Sequence, residues 1–107
     1  MLFGKRRKPN QEAMKAFWYW FLENEQWIID RIKGPDAGEV VWALDAQLKP
    51  IFDYFKGEIE FELGFNNGQG EFFFFDLNSR GLRSDAEALS DRMPDALRDH
   101  WKMIIEH

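Results

Sequence analysis

Cysteine is absent from all 107 residues, which excludes disulfides, thiolate metal sites and a cysteine nucleophile together, and fits a reducing cytoplasm. Histidine is almost as scarce. His100 and His107 are the only two imidazoles; their separation matches no metal-ligand spacing, and both read as surface histidines. No apolar run approaches the ~20 residues of a membrane span, and the basic start MLFGKRRKP leads into no apolar stretch of the signal-peptide kind. The expectation is a cytoplasmic protein without a membrane span. Nucleophile elbows of the G-x-S-x-G type are missing, and the glycines of NNGQG and NSRG suit turns better than a phosphate cradle between strand and helix. No catalytic residue, metal site or cofactor is expected.

Basic charge is also short over most of the chain. Lys5, Arg6, Arg7 and Lys8 supply four of the 14 basic residues, so residues 9–107 hold ten against 19 acidic ones, a formal −9. An acidic body repels phosphate backbones, so nucleic acid is not an expected partner. Residues 1–9 are expected to be a flexible basic tail, and residues 10–107 a single domain, since a chain of this length can bury roughly 60–70% of its unfolded surface in one core.

What the sequence has in excess is aromatic: 17% of the residues, with five Trp and 11 Phe. Asn10 is placed to cap a helix from Gln11 to about Lys33, where Gly34 and Pro35 stop it. At 100° per residue Met14, Phe17, Trp18, Phe21, Ile28, Ile29 and Ile32 form one stripe. Trp20 and Trp27 share a flank with Ala13 and Ala16, as either a second packing face or a binding patch. Glu25 falls within the apolar stripe, so either the helix bends near Asn24 or the carboxylate finds a partner, with Arg80 and Arg83 as candidates. Asp36 is a plausible cap for a second helix with Val40, Val41, Leu44 and Leu48 on one face, ended by Pro50.

Residues 57–77 change period. GEIEFELGF sets Glu58, Glu60 and Glu62 against Ile59, Phe61, Leu63 and Phe65, and NNGQG supplies turn chemistry before EFFFFDL, which predicts a β-hairpin. With an odd loop, Phe72 and Phe74 lie among the glutamates; with Asn67-Gly68 as a two-residue loop, Phe73 and Phe75 do. Either way the glutamate face carries large apolar side chains. Alternate glutamates can offer oxygens to a hard cation, but no calcium-loop pattern accompanies them, and a solvated strand face is the plainer reading. Ser84 with Glu87 has the capping-box pattern for a third helix, Pro94 ends that helix or starts a new turn, and Trp101 to Ile105 is read as either a last short strand or a helical tail, with the strand preferred.

The element order predicts an α+β fold: two N-terminal helices, a hairpin, a third helix and a short final strand, with helices on one face of a small antiparallel sheet. The segments FWYWFLEN, the spaced leucines before Pro50, the hairpin and MPDALRDHW resemble small bacterial α+β domains of unknown function, in which an FWxxF helix precedes a hairpin and a late Pro and Trp. That resemblance implies a fold and no activity. The functional expectation is a protein-interaction domain, of a binding, inhibitor or immunity-like kind, that associates with a partner or a second copy through Trp20, Trp27, Glu58, Glu60, Glu62, Phe72 and Phe74. The alternative is a small-molecule binder or minor enzyme with a pocket between the first helix and the sheet, walled by Trp18 and Phe21 and closed by Glu25.

Overall fold

Asn10 opens the first helix as expected: its side-chain oxygen accepts from the Ala13 N–H at 3.1 Å, satisfying one of the donors that a helix start leaves free. In the computed structural model, which describes residues 8–107, helix α1 spans Gln11–Ile32 and buries Met14, Phe17, Trp18, Phe21 and Ile28. Most of the expected basic tail therefore lies outside the described residues. Helix α2, Ala37–Leu48, buries Val40, Leu44 and Leu48, which recur every fourth position. Val41, expected on that face, is exposed instead, because one further residue turns it 100° off the stripe.

Strands β1 (Glu60–Asn66) and β2 (Gln69–Phe75) form the hairpin. Asn67 and Gly68 make its two-residue loop, both with positive φ, at 54° and 75°, as a type I′ turn requires and Asn-Gly tolerates. Helix α3 (Arg80–Asp91), the single turn α4 (Asp95–Arg98) and strand β3 (Trp101–Glu106) complete the chain. The sheet order is β1-β2-β3. β1 pairs with β2 antiparallel, but β3 runs parallel to β2, which corrects the expected antiparallel sheet at one strand. The crossover through α3 and α4 brings the chain back to the starting end of β2, as a parallel neighbour demands.

Helix α3 begins earlier than the Ser84–Glu87 pattern suggests. Ser79 is the cap, its hydroxyl accepting from the Leu82 N–H at 3.2 Å, and this start places Leu82, Ala86 and Leu89 in the core. At the other end Arg98 donates to the carbonyls of Ser90, Asp91 and Met93 at 2.9–3.0 Å, filling acceptors that the last turn leaves open. The helices share one sheet face: Phe17 stacks on Phe72, with ring centres 6.1 Å apart, and Trp18 donates its indole N–H to the Leu89 carbonyl at 2.8 Å. Phe52, after α2, stacks on Phe74 at 4.8 Å. The architecture is α+β, with one helical layer over a three-stranded mixed sheet.

Candidate interaction surface

The even loop decides which phenylalanines face the core. Phe61 pairs with Phe74 and Leu63 with Phe72, whereas Glu60 pairs with Phe75 and Glu62 with Phe73. Partners across a ladder share a face, so Phe72 and Phe74 lie under the helices, both 0% exposed. Their expected place on the glutamate-bearing surface is corrected: that place belongs to Phe73 and Phe75. Strand β3 extends the same rows, with Ile104 beside Phe73, Glu106 beside Phe75 and Lys102 beside Glu71.

The outer face is therefore an apolar strip of Phe73, Phe75 and Ile104 bordered by Glu60, Glu62, Glu71, Glu106 and Lys102. None of those three apolar side chains packs against the buried core, whereas Phe61, Leu63, Phe65, Met103 and Ile105, on the other face, all do. At Gly64, also on the outer face, an added Cβ would meet nothing within 4 Å. Phe73, Phe75 and Ile104 are half-buried rather than fully exposed.

At the β1 edge the surface continues into a cleft of about 870 Å³ between α2 and residues 57–62. Its α2 wall carries Val41 and Trp42, 45% and 84% exposed. Glu58, Glu60 and Glu62 line the opposite side, and Asp45 of α2 and Asp53 also line the cleft. Among the described residues Lys49 is the only cation that lines the cleft, and it lies 3.4 Å from Asp45. Glu58 precedes β1 and joins the other two glutamates at the cleft rather than along the strand.

Trp42 is the surface residue that sequence reasoning missed. Its signal was present, since position 42 falls 200° from Val40 on a helix, on the side opposite the Val40–Leu44–Leu48 stripe. Of the two tryptophans expected at a surface, Trp27 meets Trp42 across a shallower cleft of about 420 Å³ and carries the Arg31 guanidinium 5.4 Å above its ring. Trp20 and Trp27 are both half-buried and packed against the core, as the packing alternative anticipates.

The expected pocket between α1 and the sheet is filled by rings. Trp18 and Phe21 are buried, and Trp101 meets Phe21 edge-on, with centres 5.0 Å apart. Glu25 does not close a cavity there. Its Oε2 accepts from the Trp101 indole at 2.9 Å and lies 2.8 Å from His100 Nδ1, while α1 runs unbroken past Asn24. Arg83, one of its two expected partners, instead pairs with Asp76 at 3.0 Å and Glu87 at 3.4 Å. Asp76 directly follows the strand that bears the phenylalanines, and the Asn78 N–H, followed by the Arg83 side chain, holds its carboxyl below the ordinary aspartate value. Among the described residues no three His, Asp or Glu side chains gather as a metal site, and no helix is long and apolar enough to cross a membrane.

What fold and surface define is a small α+β domain with one open sheet face and an acidic edge cleft. No known family matches the chain, and neither the curated proteins nor the solved structures include a significant match.

Proposed function

We propose that the protein is a small protein-interaction domain of the cytoplasm, holding a partner or a second copy against the outer sheet face and the cleft beside it. The observation that carries this reading is the strip of Phe73, Phe75 and Ile104, half-buried on the outer face and not packed against the core. Fully burying one phenylalanine is worth roughly 1.5–3 kcal/mol, so two that are only half-buried leave part of that stability for an intermolecular contact to recover. The glutamate and lysine border suits the polar rim around such a contact. The acidic body favours a basic partner through long-range attraction, and this is the physical basis for an inhibitor-like or immunity-like role. No pocket between α1 and the sheet competes with it, because aromatic rings occupy that space.

The test is capture. Immobilised full-length protein is offered to a cytoplasmic extract of its native source, alongside the Phe73→Ser variant, and retained proteins are identified by mass spectrometry. The wild type should retain a defined partner, or its own copy, that the variant retains at least tenfold less. Equal retention by both proteins would remove the outer face from the function.

A further inference from the structure

We propose that the cleft between α2 and β1 receives an extended basic segment of a partner protein as a fourth strand on the free edge of β1. This rests on the protein-interaction reading and names the chemistry of the partner.

β1 lies at the edge of the sheet, and among the described residues no other strand pairs with its outer side. The hairpin closes with Asn66 opposite Gln69 across a two-residue loop, and such a closing pair is hydrogen-bonded. Alternation along an antiparallel ladder then turns the backbone groups of Glu60, Glu62 and Gly64 toward β2 and those of Phe61, Leu63 and Phe65 outward. Edges exposed in this way are commonly guarded by charged side chains, especially lysine, by proline or by a bulge. The β1 sequence EFELGFN has no lysine or proline, its pairing with β2 is continuous, without a bulge, and its only charges, Glu60 and Glu62, guard it against an acidic or identical strand but not against a basic one.

The side chains beside this edge select what can pair with it. A strand added to β1 would turn alternate residues toward Glu60 and Glu62 on one face and toward Val41 and Trp42 on the other. Among the described residues, five carboxylates against one engaged lysine favour Lys or Arg at the first set of positions. The exposed indole of Trp42 accepts apolar groups or the stem and charge of Arg or Lys at the second. Antiparallel self-pairing of β1 would instead bring glutamates of two copies close together, which like-charge repulsion opposes. A foreign basic strand is therefore favoured over a second copy at this edge. The surface follows the logic of strand addition, in which main-chain bonds supply affinity and alternate side chains supply specificity.

The probe is a capped octapeptide of alternating Lys and Val, titrated into the ¹⁵N-labelled full chain and followed by amide and indole shifts. The expected result is perturbation centred on Phe61, Leu63, Phe65 and the Trp42 indole. Binding should weaken at least tenfold when Glu replaces Lys in the peptide, and at least tenfold when every second peptide nitrogen is methylated in one of the two frames. A Glu60→Gln/Glu62→Gln variant should bind at least fivefold more weakly. Absence of binding, shifts centred elsewhere, or indifference to both backbone methylation frames would overturn the proposal. The chain's own basic residues are a separate control, because α1 starts beside the cleft, with Asn10 donating to the Pro50 carbonyl at 3.1 Å. If the peptide binds only after Lys5, Arg6, Arg7 and Lys8 are all replaced by Gln, those residues are the occupant and the foreign partner is refuted. If the peptide fails while Phe73→Ser still abolishes capture, the basic strand is refuted and the interaction reading stands.

Discussion

Gly70→Ala should destabilise the fold through a contact that only glycine permits. Gly70 is buried in β2 opposite Trp101, and a Cβ at this position would overlap the six-membered ring of that tryptophan. The ring has little freedom to move away. It meets Phe21 edge-on at 5.0 Å and Phe65 at 5.7 Å, and its N–H is committed to Glu25 at 2.9 Å. Overpacking of this kind costs about 1–3 kcal/mol, and loss of a hydrogen bond to a charged acceptor adds up to about 1.5–3 kcal/mol, with less expected here because Glu25 is partly exposed. Alanine recovers about 0.5–1 kcal/mol through its lower unfolded-state entropy. The expected net loss is about 1–4 kcal/mol, and each kcal/mol should lower the melting temperature of a domain this size by about 4–8 °C. Circular dichroism of both proteins, with the same substitution repeated in a Trp101→Leu background, separates the contact from a general strand effect. In that background the cost should fall by at least about 1 kcal/mol. A neutral or stabilising Gly70→Ala, or an equal cost in both backgrounds, would show that Trp101 does not confine this position to glycine.

Asp76 carries the acid sensitivity that the ion pairs allow to be assigned. Its folded-state pKa lies below the ordinary value of 3.8, so its contribution is fully present above that value and is lost as pH falls through the lower folded value. Asp76→Asn should therefore be less stable than wild type at neutral pH, with the difference shrinking below about pH 4; a constant difference in urea midpoint across that window would contradict the assignment. Gly64→Thr should stabilise the isolated protein by about 0.5–1 kcal/mol, since the added side chain meets open space on a strand. A loss of stability in the monomer, measured by chemical unfolding, would show that something covers the outer face there.

Local rules made much of this fold legible. The Asn10 cap, the 3.6-residue stripe of α1, the Asn-Gly turn and the alternation of β1 depend on neighbours in sequence, and the structure follows them. The helices do lie on one sheet face, as the α+β reading expects. What depends on distant partners was less accessible. Nothing local orients Trp101 to Glu106 parallel or antiparallel to β2, because the intervening segment is long enough to return the chain to either end of that strand. The third helix starts at Arg80 because Ser79 supplies a closer cap and Leu82 reaches the core, although Ser84 and Glu87 carry a stronger written pattern. Glu25 finds Trp101 and His100, far along the chain. At the surface, four consecutive phenylalanines required one face to keep two of them, but loop parity alone decided that these are Phe73 and Phe75.

Adjacent substitutions in β2 distinguish the phenylalanine face that belongs to the core from the one proposed for an intermolecular contact. Phe72→Ser and Phe73→Ser are compared by chemical unfolding, and the wild type and any folded variant by light scattering with and without the captured partner. Phe72→Ser should lose about 3–5 kcal/mol, as deletion of a buried aromatic does, whereas Phe73→Ser should stay within about 1.5 kcal/mol of wild type and lose assembly. Equal unfolding by both substitutions, in a wild type that is monomeric and retains no partner, would contradict the account.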